Sequence, residues 1–158
     1  MSEPTPPAGI AKAAPLLSVV IPAYNEEDSI GETLRTLHAA LVAEGIAHEI
    51  VVTNDNSKDN TLARLEELAQ EIPTLVYYTN AGPNGFGYAV RYGLERYSGD
   101  CVAVMMADLS DDPADLVRYY HKMQEGYDCV FGSRWGRAGA WSTTRPTKRS
   151  STGWPTPS

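Results

Sequence analysis

Short apolar runs rich in β-branched residues alternate with stretches of helical periodicity through most of this chain, and that alternation leaves few architectures open. Residues 16–22 (LLSVVIP) read as a buried strand. Asp28 or Ser29 can cap a helix whose apolar positions Ile30, Leu34, Leu37 and Leu41 recur at helical spacing, with Gly45 as its stop. Residues 48–53 (HEIVVT) form a second strand. A second helix, capped by Asp59 or Asn60, carries Leu62, Leu65, Leu68 and Ile72 on one face and ends at Pro73. Residues 75–79 (LVYYT) give a third strand, and a Gly-rich loop, 80–87, leads into a helix reaching about Tyr97. A fourth strand (101–107), a helix opening at Pro113 and reaching about Glu125, and a fifth strand (127–132) complete the pattern. Strand and helix follow each other with short connections, which predicts a doubly wound α/β domain: a mostly parallel sheet with helices on both faces.

The ends of the chain differ from this body. Residues 1–15 are Pro/Ala-rich and read as a flexible leader, with no apolar core of a secretory signal. Residues 136–158 are rich in Ser, Thr and Pro without apolar periodicity and are expected to be disordered, so the domain is bounded at 16–135. The formal charge is −7, yet the tail holds Arg137, Arg145, Lys148 and Arg149 and no acid, so the acidity belongs to the body. Such a body argues against broad nucleic-acid binding, which needs clustered cations. The tail reads first as a dangling segment, with a basic arm for anionic lipid head groups as the alternative. Cys101 and Cys129 sit inside apolar runs and read as free thiols. No apolar run is long enough to span a bilayer. The chain reads as cytoplasmic, with contact to the cytoplasmic membrane face left open.

In parallel α/β sheets ligands bind beyond the carboxyl ends of the strands, where strand order reverses. The unusual polar residues fall at those ends: Tyr24-Asn25-Glu26-Glu27 after the first strand, Asn54 to Asp59 after the second, Asn84 to Gly87 after the third, Asp108 to Asp112 after the fourth, and Gly132-Ser133-Arg134 after the fifth. The opposite edge carries plain turns. A dinucleotide-binding Gly-x-Gly-x-x-Gly after the first strand and a Walker A loop are both absent. Asp55 can accept from a base N–H or a ribose hydroxyl, and Asp108 can ligate a hard divalent cation, which takes one or two carboxylates and fills its sphere with water and diphosphate oxygens. Gly85 and Gly87 permit close backbone approach. Asp55 and Asp59 also suit a turn and a cap, and Asp111 and Asp112, before Pro113, read first as helix caps.

Taken together, SVVIPAYNEEDSI (18–30), EIVVTNDNSKDNT (49–61), NGFGYAVRYGL (84–94), MADLSDDPADL (106–116) and FGSR (131–134) resemble the family 2 inverting glycosyltransferases of the GT-A fold, closest to the polyprenyl- or dolichyl-phosphate mannosyl- and glucosyltransferase branch. The resemblance implies a Rossmann-like nucleotide-sugar-binding half. It implies nucleotide contacts at Pro22, Tyr24 and Glu26, the base and ribose site at Thr53 and Asp55, and further donor contacts at Asn84 and Gly85. Asp108 matches the metal-binding, diphosphate-orienting carboxylate of the Asp-x-Asp motif, Ser110 a further metal-shell position, and Arg134 a cation steadying phosphate oxygens. The implied cofactor is Mg2+ or Mn2+. The implied donor is a nucleoside diphosphate sugar, guanosine-diphosphate mannose or uridine-diphosphate glucose, and the implied acceptor a lipid phosphate.

Two residues depart from the pattern. Met106 stands where the first acid of the Asp-x-Asp motif is usual, and Asn54 where the first acid after the second strand is usual. The resemblance also implies an acceptor half beyond Gly-Ser-Arg, in place of which a low-complexity tail follows. The expectation is a truncated chain that binds donor weakly and turns over poorly, with a non-catalytic nucleotide-sugar-binding remnant as the alternative. His38, His48 and His121 lie away from the ligand edge and read as structural.

Overall fold

The computed structural model of the chain describes residues 14–132 and 141–144. Strand β1 (Leu17–Ala23) is buried along its whole length. That burial follows from its place in the sheet. Helix α1 (Ile30–Ala43) leads to β2 (His48–Asn54), α2 (Thr61–Glu71) to β3 (Leu75–Thr79), and α3 (Phe86–Leu94) to β4 (Cys101–Val104). The four strands pair in parallel in the order β3-β2-β1-β4. The chain therefore winds outward from β1 to β3 and returns to lay β4 on the other side of β1, which creates the reversal point between β1 and β4.

Alternation along the strands sorts the two faces. Leu17, Val19, Ile21, Ile50 and Val52 join Ile30, Leu34, Leu37, Leu41, Leu65, Leu68 and Leu116 in one buried cluster. This is the face of α1, α2 and α4 (Pro113–Gln124). Val20 and Thr53 point the other way, toward α3, whose buried positions are Ala89 and Gly93. Helix ends follow their local chemistry. Gly45, at φ 65°, sends its N–H to the Val42 carbonyl while Ile46 sends its own to Leu41, a Schellman stop on α1. Asp112 accepts from the Ala114 N–H at 2.8 Å and Pro113 opens α4, as the cap reading predicts.

Three expectations are corrected. Helix α3 stops at Leu94 rather than near Tyr97, because Glu49 accepts from both the N–H and the hydroxyl of Ser98 and draws the chain out of the helix. Strand β4 ends at Val104, since the Met106 N–H turns to Asp111 Oδ2 at 2.8 Å. The fifth strand, β5 (Cys129–Gly132), does not extend the parallel sheet; it pairs antiparallel with β6 (Trp141–Thr144), inside the stretch expected to be disordered. A Trp and two Thr are strong β-formers, and a nearby antiparallel partner gives β5 its ladder. Cys101 and Cys129 are free thiols, and burial pushes the Cys101 thiol up, with Asp100 adding to it.

The edge of the sheet opposite the strand ends is fastened by polar groups. Glu49 accepts from Ser18 Oγ at 2.6 Å, and Ser18 Oγ in turn accepts from the Gly99 N–H at 2.9 Å. Burial opposes the charge on Glu49, but these hydrogen bonds outweigh it and hold the carboxyl below its usual range. Nearby, His48 Nδ1–H donates to the Ile46 carbonyl at 2.8 Å, which leaves His48 Nε2 as an acceptor 3.0 Å from His38 Nδ1. Burial lowers the pKa of His38, and His48 adds to the effect. A depressed histidine binds protons less readily folded than unfolded. Its contribution is therefore complete above the ordinary histidine value of about 6.5 and is lost as pH falls below it. Urea unfolding at pH 7.5 and 5.5 is expected to show lower stability at pH 5.5, with the difference reduced in His38→Gln. Equal stability at both values would contradict this reading.

Candidate functional site

A cleft of about 420 Å³ lies at the reversal point, lined by Pro22, Ala23, Tyr24 and Glu26 after β1, Asp55 after β2, Asn84 to Phe86 and Ala89 at the start of α3, and Met106 and Ala107 after β4. Four strand ends thus contribute to one hollow, and its walls rest on hydrogen bonds between loops that are distant in sequence.

The loops after β1 and β2 are laced together. Asn25, at φ 53°, donates its N–H to Ser57 Oγ at 3.0 Å and accepts from the Lys58 N–H at 2.8 Å. The Glu26 N–H donates to Thr61 Oγ1 at 2.8 Å and the Glu27 N–H to Asp59 Oδ2 at 3.1 Å. Asp59 also accepts from the N–H and hydroxyl of Thr61, so it is the brace of this junction. Burial works against its charge, and the hydrogen bonds from Thr61 and Glu27 prevail, holding it below the usual carboxylate range. Asn54, where the resemblance leads one to expect an acid, accepts from the Ser57 N–H at 3.1 Å and so closes the same turn.

Asp55 is 5% exposed and fastens the Gly-rich loop. Its Oδ2 accepts from the Gly85 N–H at 2.7 Å and its Oδ1 from Asn80 Nδ2 at 2.8 Å. Asn80, itself buried, accepts from the Gly82 N–H and donates to the Pro83 carbonyl. Asn56 Nδ2 donates to the Asn80 carbonyl and to Asn84 Oδ1. Gly85 sits at φ 136°, a conformation that side chains with a Cβ rarely adopt, and this turn launches α3.

Other expected residues fall elsewhere. The Thr53 side chain lies beneath α3, fully buried, and among the described residues its Oγ1 is a buried oxygen without a hydrogen-bond partner. Asp108 is exposed, one residue beyond the cleft wall, and accepts from the Ser110 N–H at 3.0 Å across Leu109 at φ 63°. Ser110 itself lines a second hollow of about 450 Å³ on the α4 side, with Asp111, Asp112, Asp115 and Tyr119. Arg134 lies outside the described residues.

Among the described residues no group of three or more His, Cys, Asp or Glu side chains forms a ready-made metal cage. One exposed carboxylate, Asp108, beside a nucleotide-sized cleft fits a divalent ion that arrives with a diphosphate and takes its remaining ligands from phosphate and water. Asp111 and Asp112 are engaged as strand and helix caps.

Sequence reasoning passed over Asn80, Ala89 and Ala107, and placed Phe86 at the ligand edge within Asn84 to Gly87 without giving it a role of its own. An Asn directly after a strand and before Ala-Gly-Pro is a turn signal that points to Asn80. A large aromatic between two glycines was the available signal for Phe86.

Residues 18–157 match the family described as glycosyl transferase family 2, a span that takes in most of the tail. An undecaprenyl-phosphate 4-deoxy-4-formamido-L-arabinose transferase of Edwardsiella ictaluri is 34% identical over 138 residues, covering 87% of this chain and 42% of that protein. The protein of the same name from Pseudomonas aeruginosa is 38% identical over 116 residues, covering 73% and 34%. The chain therefore spans about two fifths or less of the length of these curated relatives. Among solved structures, glucosyl-3-phosphoglycerate synthase from Mycobacterium tuberculosis with Mn2+, uridine-diphosphate and phosphoglyceric acid superposes with a TM-score of 0.59 at 26% identity, over 73% of this chain and 42% of that one. A mannosyltransferase from Pyrobaculum calidifontis with GDP-Man and Mn2+ superposes with a TM-score of 0.54 at 26% identity, over 60% and 28%.

Proposed function

The chain belongs to glycosyl transferase family 2, and from that premise we propose that it forms the donor side of an enzyme moving a sugar from a nucleoside diphosphate to a polyprenyl phosphate with inversion. The observation that carries this reading is the gathering of Pro22, Tyr24, Glu26, Asp55, Asn84 and Gly85 around one cleft at the reversal of strand order. The relatives named for undecaprenyl-phosphate support the lipid acceptor, and the solved neighbours with GDP-Man or uridine-diphosphate and Mn2+ support the donor and the metal.

The chemistry asked of such a site is a single displacement. An oxygen of the acceptor phosphate attacks the anomeric carbon, the bond from that carbon to the diphosphate oxygen breaks, and the electron pair departs with the diphosphate. Because the acceptor is already an oxyanion, no general base is required; His38 and His48 stand at the far edge of the sheet. Asp55 holds the Gly-rich wall in place, and Asp108 is the residue to hold a divalent ion. When bound, that ion neutralises charge developing on the departing diphosphate. No helix among the described residues is long and apolar enough to cross a membrane. We assign the work to the cytoplasmic membrane face, with Arg134 as the cation that steadies the phosphate oxygens.

A second reading is a nucleotide-sugar binder without turnover, favoured by Met106 beside a lone motif carboxylate. Thermal unfolding with GDP or UDP and Mn2+ tests the shared premise. A ligand at one hundred times its dissociation constant adds about 2.7 kcal/mol to folding stability. One of the two nucleotides is expected to raise the melting temperature further with Mn2+ than without it, and Asp108→Ala to lose only the Mn2+-dependent increment. Absence of any nucleotide effect on the parent chain would overturn the proposal. Transfer of labelled sugar to a polyprenyl phosphate then separates enzyme from binder.

A further inference from the structure

Phe86 is the first residue of α3, and the buried positions of that helix are Ala89 and Gly93. These three stand at i, i+3 and i+7, one stripe of the helix. Ala89 is fully buried, and Gly93 rests on Val20 and Thr53 of the sheet. Phe86 continues the stripe past the point where the strands end, so its ring overhangs the cleft and is 58% exposed. Tyr24, from the loop after β1, lines the same cleft and is 49% exposed. Two large rings on separate elements thus border one hollow that the chain itself does not fill.

The rest of the lining narrows the occupant. Pro22, Ala23, Ala89, Met106 and Ala107 are apolar, and among the described residues that line it the charged members are Asp55 and Glu26, with no Lys or Arg. Such a surface repels phosphate and accepts N–H donors from the rim of a flat, uncharged ring system. The position of Phe86 is also built rather than incidental. Gly85 is held at φ 136° with its N–H on Asp55 and its carbonyl accepting from the Ala89 N–H at 2.9 Å.

Resting on the nucleotide reading above, we infer that Phe86 is a base-stacking residue, closing on one face of the donor's nucleobase from α3 while Tyr24 borders the hollow from the loop after β1. The stack recognises the base, and the diphosphate lies outside it, toward Asp108.

Calorimetric titration of the full chain with GDP and with UDP, in Mn2+, tests this. Phe86→Ala is expected to weaken the bound nucleotide roughly tenfold or more, in the range of one base–aromatic stack, and to lose the hypochromic change of the base near 260 nm. Phe86→Tyr is expected to keep both affinity and hypochromism, and Phe86→Leu, which keeps apolar bulk without a π-face, to lose them as Ala does. Because Tyr and Leu both preserve volume, their contrast decides the matter even where Phe86→Ala melts earlier than the parent. Unchanged affinity in Phe86→Ala, or full affinity in Phe86→Leu, overturns the stacking role while leaving the nucleotide reading intact. Failure of the parent chain to bind either nucleotide overturns both.

Discussion

Gly93→Ala is expected to lower unfolding stability by about 1–2 kcal/mol, even though alanine is the better helix former by about 1 kcal/mol. A Cβ at position 93 would stand 2.6 Å from Val20 Cγ1 and 3.0 Å from Thr53 Oγ1. Both neighbours belong to fully buried positions of central strands and have nowhere to go. The helix must lift instead, and it carries Gly85 and Phe86 at its start, so nucleotide affinity falls with stability. Gly87→Ala is the matched control: a Cβ there meets nothing within 4 Å, and the substitution is expected to be neutral or mildly stabilising. Urea denaturation of the three proteins checks the pair. Equal midpoints for Gly93→Ala and the parent would mean that α3 does not sit on the sheet as described.

Asp55→Ala should cost more, about 2–4 kcal/mol, and abolish nucleotide binding. The carboxylate is the acceptor for the Gly85 N–H and for Asn80 Nδ2, and removing it leaves one buried and one part-buried donor without their partner. The loss propagates, because Asn80 in turn orders Gly82 and Pro83. Asp55→Asn is expected to fall between the two: its carbonyl oxygen can still take one donor, but its amide then faces the amide of Asn80. Hydrogen exchange at Gly85 is the direct readout, protected in the parent and fast in Asp55→Ala. A protected Gly85 amide and an unchanged midpoint in Asp55→Ala would remove Asp55 from the role of loop clamp.

Features set by local periodicity were legible in the sequence. The burial of Ile30, Leu34, Leu37 and Leu41 follows from their spacing, the stop at Gly45 from its left-handed backbone, and the start of α4 from Asp112 and Pro113. The location of the cleft was legible too, because strand ends in a parallel sheet share one rim. What escaped depends on particular polar partners and strand pairings rather than on periodicity. Ser98 leaves α3 for Glu49, and Met106 leaves β4 for Asp111, choices that no local pattern announces. β5 takes a partner in β6 rather than joining β4. Thr53 was expected in the base site on family grounds, yet strand alternation turns its side chain under α3. Asn80 carries little local signal of burial, since its value lies in joining Asp55 to Gly82 and Pro83.

Amide chemical-shift mapping of the isotope-labelled chain, titrated with GDP or UDP and Mg2+, asks most directly whether the strand ends form one nucleotide site. The predicted result is a contiguous set of shifted amides at Tyr24, Asp55, Gly85, Phe86 and Asp108, with His48, Ser98 and Gly99 at the far edge unmoved. Shifts centred on that far edge, or a titration that leaves the five strand-end amides in place, would contradict it.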